Sequence, residues 1–174
     1  MSTLVLPAPA RTFGKPRRRV LDAAALGTHL DRLYRAALGL TGSPHDADDL
    51  VQEVCVRVLA KPRLLSGDDD LGYLLRVLRN TFISQRRTAA RRPATAVAPE
   101  DLERFQGSAP DPHQALEARQ LYARIAKLPD HQRDVLVAVD LLGLSYQEAA
   151  TALSVPTGTI MSRLFRARRA LAAA

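Results

Sequence analysis

The stretch that decides the fold closes the chain, where residues 144–174 read LSYQEAATALSVPTGTIMSRLFRARRALAAA. Ser145 and Glu148 have the spacing of a capping box, which predicts that a short helix starts here. Pro156 ends that helix, because proline cannot continue it and extends the residue before it. A second helix is predicted from Thr157 towards the C-terminus. The stretch is therefore predicted to be a helix-turn-helix.

The second helix of this pair has one apolar and one polar face. The apolar stripe, which is predicted to be buried, contains Ile160, Leu164, Ala167 and Leu171. The opposite face contains Ser162, Phe165, Arg166 and Arg169. From Ser154 onward the chain has four arginines and no acidic residue. Such a face suits the major groove of DNA, where arginine reads guanine and phosphates attract cations; the alternative is a solvated basic helix.

Charge and composition limit the possible functions. The chain has 174 residues and a formal net charge of +7, which favours a polyanionic partner such as nucleic acid. Arginines concentrate in residues 11–19 and 71–99, where no acidic residue occurs. Cys55 is the only cysteine, so no internal disulfide is possible and a reducing compartment fits. Because no signal peptide or membrane-spanning run is apparent, we expect a cytoplasmic protein.

The N-terminal half is predicted to begin with a flexible basic arm, residues 1–19, followed by a helix over about 21–40. A second helix is predicted over about 44–60, with Ser43 as N-cap and Pro44 at its first position. One face of it carries acidic and amide side chains: Asp46, Asp49, Gln52 and Glu53. Acidic residues in a first turn favour the helix dipole, but Glu53 lies too far along the helix for this. We therefore expect the face to bind a basic protein surface.

A third helix is predicted over about 71–90. Its buried stripe is predicted to contain Leu71, Leu74, Leu75, Leu78 and Phe82. The opposite face contains Tyr73, Arg76, Asn80, Ser84 and Arg87. An aromatic ring, an amide and several guanidinium groups on one face suit unpaired bases and their backbone. The alternative is an ordinary surface helix.

Four prolines among small residues make residues 91–112 a predicted linker between two domains, 20–90 and 113–174. The second domain is predicted to start with a helix over about 113–128, with Leu121 facing inward. Asp130 is predicted to cap the next helix, which runs to about Leu142. No strand pattern occurs in the sequence. The predicted fold class is all-α: two small helical domains joined by a flexible linker, the second containing the helix-turn-helix.

The sequence lacks a set of residues for catalysis. The four histidines are scattered, and none has metal-ligand spacing to another histidine or to Cys55. There is no glycine-rich phosphate loop. The acidic residues near Asp49 are the one group that could bind magnesium, but no phosphate-binding motif accompanies them. We expect no enzymatic activity, no metal and no cofactor.

Together these motifs resemble a bacterial RNA polymerase sigma factor of the extracytoplasmic-function (ECF) type in the sigma-70 family. The resemblance covers about residues 25–90, similar to sigma region 2, and 114–171, similar to sigma region 4. Residues 40–54, LTGSPHDADDLVQEV, resemble the family's helix that docks on the polymerase clamp coiled coil. Residues 73–87, YLLRVLRNTFISQRR, are similar to the stretch that melts and captures the −10 promoter element. Residues 128–171 resemble the module that reads the −35 element.

This resemblance implies roles for individual residues. Residues expected to contact the polymerase are Asp49, Gln52 and Glu53. Residues expected to contact −10 DNA are Tyr73, Arg76, Asn80, Ser84 and Arg87. Residues expected to contact −35 DNA are Thr159, Ser162, Arg163, Phe165, Arg166, Arg168 and Arg169, with Arg163, Arg168 and Arg169 nearer phosphates. The implied partners are core RNA polymerase, through its clamp coiled coil and flap, promoter DNA and an anti-sigma factor.

Three positions depart from the pattern of the family. Ser84 occupies a position where many members have aspartate, and Tyr73 a frequent tryptophan position. Met161 stands where lysine or arginine is common, which removes an expected DNA contact. The alternative function is a stand-alone helix-turn-helix regulator with an N-terminal sensor domain. Such a regulator is expected to dimerise on a palindrome without polymerase.

Overall fold

The structure, a computed structural model, describes residues 18–61, 63–66, 70–91 and 112–173. The N-terminal domain contains β1 (Arg18–Val20), α1 (Ala23–Gly27), α2 (Leu30–Thr41), α3 (Pro44–Ala60), β2 (Leu64–Ser66) and α4 (Asp70–Ala89). The C-terminal domain contains α5 (Pro112–Ala126), α6 (Asp130–Leu136), a π-helical segment (Val137–Leu141), α7 (Tyr146–Leu153) and α8 (Thr157–Ala172). The predicted arm up to residue 17 and the predicted linker from 92 to 111 lie outside the described residues.

Two predicted helix starts are confirmed by their caps. The Ser43 hydroxyl accepts a hydrogen bond from the Asp46 amide at 3.4 Å, and Pro44 is the first residue of α3. The Glu148 amide donates to the Ser145 hydroxyl at 3.3 Å, and the Ser145 amide donates to the Glu148 carboxylate at 2.8 Å. This capping box satisfies amide groups that the first turn of α7 leaves without partners. The hydrogen bonds to Ser145 also lower the pKa of Glu148.

The first predicted helix is divided in two. α1 ends at Gly27, and the Thr28 hydroxyl donates to the Ala25 carbonyl at 2.7 Å. Glycine and threonine are poor helix formers, and this side-chain hydrogen bond competes with helix continuation. α2 then starts at Leu30, which is exposed rather than part of the core.

Two short strands were not expected from the sequence. β1 and β2 pair antiparallel, with Arg19 opposite Leu65 and Val20 opposite Leu64. Three-residue strands are too short for an alternating pattern, and their partners are more than forty residues apart in the chain. Residues 18–19, predicted to belong to the arm, are therefore part of the first domain.

The predicted helix from 130 to 142 changes geometry halfway. Asp130 is its first helical residue rather than its cap, since Pro129 takes the N-cap position. After Leu136 the backbone becomes π-helical, and the Leu142 amide donates to the Val137 carbonyl at 3.0 Å. Gly143, with φ of +79°, ends the segment as predicted. In α5, Leu121 is exposed, so its predicted inward position was wrong.

The two domains pack against each other through α2. A Cβ atom on Gly39 would lie 2.5 Å from Leu141 Cδ1 and 3.1 Å from Val137 Cγ2, both in the π-helical segment. Gly42, which ends α2 with φ of +73°, lies equally close to α5, because a Cβ there would be 2.8 Å from the Cβ of Ala126. Buried side chains from both domains form one contiguous cluster among the described residues. Glycine at these positions permits the close approach of the domains.

Candidate nucleic-acid and protein interfaces

The turn of the helix-turn-helix sets the direction of α8. Ser154 adopts a left-handed conformation with φ of 56°, and Pro156 is the N-cap of α8. α8 then packs against α6 and α7. Its predicted apolar stripe is confirmed at Ile160, Leu164 and Ala167, which are buried, whereas Leu171 is only partly buried.

The face of α8 opposite this stripe is open to solvent. Its exposed side chains are Ser162, Phe165, Arg166 and Arg169. Thr159 and Arg163 are partly buried at the edges of the face, and the Ser162 hydroxyl donates to the Thr159 carbonyl at 3.1 Å. Guanidinium and hydroxyl groups on this open face of the helix can hydrogen-bond the edges of bases, and the guanidinium groups can also pair with phosphates.

Arg168 was expected near phosphates, but it is held by Asp140 of the π-helical segment. Its Nη2 donates to one carboxylate oxygen at 2.6 Å, and its Nε donates to the other at 3.1 Å. These hydrogen bonds raise the pKa of the guanidinium. The sequence did not indicate this pair, because the two residues are 28 positions apart.

The outward face predicted on α4 is present in its second half only. Asn80, Ser84 and Arg87 are exposed, and Arg76 is partly buried. Tyr73 is only 7% exposed, so its predicted place on the open face was wrong. The first turns of α4 are buried on nearly every side, since α4 packs against α2, α3 and α7. The spacing of apolar residues within one helix does not show how many other elements pack around that helix.

Three side chains of α4 that the site prediction omitted join it to the second domain. Arg79 Nε donates to Asp134 Oδ2 at 2.5 Å. The Phe82 ring contacts two cations, with Arg86 Cζ 5.7 Å and Arg133 Cζ 5.2 Å from its centre. Cation–π contacts of this kind stabilise a partly desolvated interface.

The buried Arg133 organises the far side of this interface. Its Nη1 donates to the Ala126 carbonyl at 3.0 Å, and its Nη2 donates to Asp130 at 2.6 Å. Asp130 in turn accepts a hydrogen bond from Arg86 at 3.4 Å. The stretch of α4 that resembles the DNA-melting segment therefore shares its surface with the other domain.

The acidic face of α3 is confirmed as a solvent-facing surface. Asp49 and Gln52 are exposed, and Glu53 is partly buried. Asp49 lies 3.8 Å from His45 Nε2, and Glu53 accepts a hydrogen bond from Arg57 Nε at 2.6 Å. Both contacts are within one helix and exposed, so solvent screens them strongly. The face is available to a basic partner.

The described residues offer little support for a metal site, a reactive thiol or a membrane-spanning helix. There, no group of three or more histidine, cysteine or acidic side chains is placed to hold a metal ion. The Cys55 thiol is partly buried, and burial raises its pKa, which disfavours the reactive thiolate. Of the helices in the described ranges, none is both long and apolar enough to cross a membrane.

Comparison with protein families gives two matches. Residues 26–92 match the family model "Sigma-70 region 2", and residues 118–171 match "Sigma-70, region 4". The chain is 36% identical over 147 residues to the ECF RNA polymerase sigma factor SigE of Mycolicibacterium smegmatis, covering 82% of this chain and 57% of that protein. It is 37% identical over 138 residues to EcfG of Rhodopseudomonas palustris, covering 79% and 75%. It is 36% identical over 169 residues to SigC of Mycobacterium tuberculosis, covering 94% and 88%.

Solved structures agree with the fold. The sigma factor RpoE, in complex with the anti-sigma factor NepR from Bartonella quintana, superposes with a TM-score of 0.66 at 26% identity, covering 85% of this chain and 92% of that one. CnrH in complex with the cytosolic domain of CnrY gives 0.58 at 22% identity, covering 87% and 88%, and supports the fold alone. The chain therefore belongs to the ECF sigma factors of the sigma-70 family.

Proposed function

We propose that this chain, as a sigma factor, directs core RNA polymerase to promoter DNA through three separate surfaces. The observation that carries the proposal is that an exposed acidic face on α3 and an exposed basic face on α8 lie in one chain. A protein that binds only DNA does not need the acidic face, and a protein that binds only polymerase does not need the basic face. The chain catalyses no reaction of its own in this proposal and acts in the cytoplasm, where the polymerase supplies the chemistry.

The acidic face is the proposed polymerase contact. Asp49, Gln52 and Glu53 would meet the clamp coiled coil, and the second domain would meet the flap. Support comes from the exposure of the face and from its charge, which is opposite to that of the chain as a whole. Complementary charges accelerate encounter and exclude wrong partners.

The open half of α4 is the proposed contact to the −10 element. Asn80 would hydrogen-bond an unpaired base, and Arg76, Ser84 and Arg87 would follow the strand. Unpaired bases present hydrogen-bonding edges that a duplex hides, so such contacts favour the melted state. Tyr73 would contribute to this site only after a rearrangement exposes it, because it is 7% exposed.

The open face of α8 is the proposed contact to the −35 element. Ser162, Phe165 and Arg166 would approach base edges, and Thr159, Arg163 and Arg169 would lie nearer the backbone. Arginine forms two parallel hydrogen bonds to guanine O6 and N7, which is the commonest specific contact in the major groove. Arg168 has a smaller role in this proposal because of its ion pair with Asp140.

We also propose that an anti-sigma protein binds this chain. Support comes from RpoE, which was solved in complex with an anti-sigma factor and is similar to this chain over most of its length. The alternative function, a stand-alone regulator with a sensor domain, is not favoured. Its N-terminal half would have to be a sensor, whereas residues 26–92 match sigma region 2.

The proposal is tested by reversing the charge of the acidic face. The double variant Asp49→Arg with Glu53→Arg should lower binding to core polymerase by more than about tenfold, because it places arginines against a basic surface. Both side chains point away from the core, so thermal unfolding should change little. Co-purification with core polymerase and run-off transcription measure the effect.

Asp31→Arg is the matched control, because Asp31 is an exposed acidic residue on α2, outside the acidic face. This variant should bind polymerase as the wild type does. Undiminished binding of the double variant, or equal losses in the double variant and the control, would contradict the assignment of the acidic face.

A further inference from the structure

Two large apolar side chains are exposed next to each other on α8. Met161 is 54% exposed and Phe165 is 66% exposed. At about 100° per residue, positions four apart differ by about 40° around the helix axis and lie one turn apart. The two side chains therefore form a single apolar step on the surface. Isolated exposed apolar residues are ordinary, whereas two adjacent ones on the helix proposed to contact DNA add an apolar surface to that contact.

One cation on the same edge of α8 as Met161 is paired with a carboxylate. Arg168 follows Met161 by seven residues, two helical turns, so it lies on the same edge of α8. Both of its hydrogen bonds described above go to Asp140 in the π-helical segment. A guanidinium held at two points by a carboxylate contributes little charge to a DNA contact. This edge of α8 consequently presents the two apolar side chains beside an ion-paired arginine, where the sequence alone indicated a free cation.

The rest of the face is cationic. Arg166 and Arg169 are exposed, Arg163 is partly exposed, and α8 contains no acidic residue. Space is also open at the first turn, since a Cβ atom on Gly158 would have no neighbour within 4 Å. A polyanion can therefore come close to this face, and the apolar step would enter the major groove together with the arginines.

We propose that Met161, with Phe165 beside it, contacts the C5-methyl group of a thymine in the upstream promoter element. The inference rests on the proposed function, because it needs α8 to lie in the major groove of the −35 element. Among the groups that bases present in that groove, the thymine methyl is the apolar one. An arginine at position 161 would favour guanine O6 and N7 instead. Met161 is thus a specificity-determining residue for thymine.

Deoxyuridine tests this inference, because it differs from thymidine only by the missing methyl group. Run-off transcription with core polymerase first selects the preferred upstream element from a promoter library randomised there. Each thymine of the selected element is then replaced by deoxyuridine. We expect a loss of about fourfold in promoter affinity at one or two positions, the factor that corresponds to about 0.8 kcal/mol for one buried methyl group.

Variants at position 161 connect this effect to the side chain. In Met161→Ala, the loss caused by deoxyuridine should disappear at one position and persist elsewhere, which is the coupling that a double-mutant cycle measures. Met161→Arg should change the preferred base at that position to guanine. Leu116→Ala is the matched control, since it removes an exposed leucine from α5. It should keep the wild-type response to deoxyuridine.

Other results would overturn the inference in distinguishable ways. An equal effect of deoxyuridine on the wild type and on Met161→Ala would exclude a methyl contact by this side chain. If Met161→Ala lowered promoter affinity equally on every template, Met161 would contact a protein rather than a base. If the wild type transcribes from the library but selects no upstream element, the proposed −35 contact fails together with this inference. If it does not support transcription at all, the proposed function fails as a whole.

Discussion

The two helices proposed to contact DNA differ in how much of their surface the rest of the protein covers. α8 packs along one stripe against α6 and α7 and leaves the opposite face to solvent. α4 packs against α2 and α3 of its own domain and also against α7 of the other. Its first turns, including Tyr73, are buried. An amphipathic pattern therefore predicts the exposed face correctly where a helix packs along one stripe, and less well where three elements pack around the helix.

The largest expected effects come from the cores of the two domains. Leu78 in α4 and Leu164 in α8 are both buried. Replacing either by alanine should lower the free energy of unfolding by about 2–5 kcal/mol, through lost transfer free energy and the cavity left behind. Because the buried residues of both domains form one cluster, each variant should lower the midpoint of the same single transition. Differential scanning calorimetry measures this.

Calorimetry would contradict the shared core if it showed two transitions, with Leu78→Ala moving one and Leu164→Ala moving the other. The second domain would then cover α4 only loosely, and the difference between the two helices proposed to contact DNA would be smaller than the structure indicates.

A smaller effect is expected where α2 meets the π-helical segment. In Gly39→Ala, the new Cβ would overlap Leu141 Cδ1 and crowd Val137. The gain in helix propensity offsets part of this overpacking, and the net loss of stability should be about 1–2 kcal/mol. Gly27→Ala makes the same change in α1, where a Cβ has no neighbour within 4 Å. Urea denaturation should find this control unchanged or slightly more stable; equal results for both variants would mean that the domains are farther apart in solution.

The ion pair between the domains gives the next smaller effect. A double-mutant cycle of Arg79→Ala and Asp134→Ala should give a coupling free energy of about 1 kcal/mol, discounted because the Arg79 side chain is 39% exposed. The pair of Glu53 and Arg57 within α3 is the reference, with an expected coupling of about 0.3–0.5 kcal/mol. A coupling of zero between Arg79 and Asp134 would show that this ion pair does not hold α4 to the second domain.

The features that the sequence predicted correctly are local. Ser43 with Pro44, and Ser145 with Glu148, start their helices through hydrogen bonds to residues three positions away. Gly143 ends a helix through its own backbone conformation. Such interactions depend on a few neighbouring residues, so a single sequence contains the information needed to recognise them.

The features that the sequence did not predict depend on distant residues. Tyr73 is buried in a helix that packs against α2, α3 and α7, and Arg168 is paired with Asp140, 28 positions away. The strand pair joins Val20 to Leu64, and Gly39 fits a segment whose π-helical geometry no local residue indicated. The acidic face of α3 was predicted correctly as a solvent-facing surface, because its position follows from the apolar stripe of α3 itself.

The smallest effect concerns the two edges of α8. Arg163 has no ion pair among the residues that the structure describes, whereas Arg168 is held by Asp140. If Arg163 contacts a phosphate, Arg163→Ala should reduce the slope of log affinity against log salt by about 0.9 and leave stability unchanged. Arg168→Ala should reduce the slope much less and should cost about 0.5 kcal/mol of stability, since the lost ion pair is partly exposed.

Binding of the polymerase holoenzyme to a promoter fragment at several salt concentrations measures both slopes. Asp140→Ala is the control that separates charge from ion pairing. It removes the same ion pair, and therefore about the same stability, but it leaves the Arg168 charge free. Its slope should be steeper than that of the wild type, because the released guanidinium can reach a phosphate. Equal reductions of the slope in Arg163→Ala and Arg168→Ala would mean that DNA opens the ion pair with Asp140. Both edges of α8 would then be cationic in the complex, and Met161 would lie beside a charge rather than on an apolar edge.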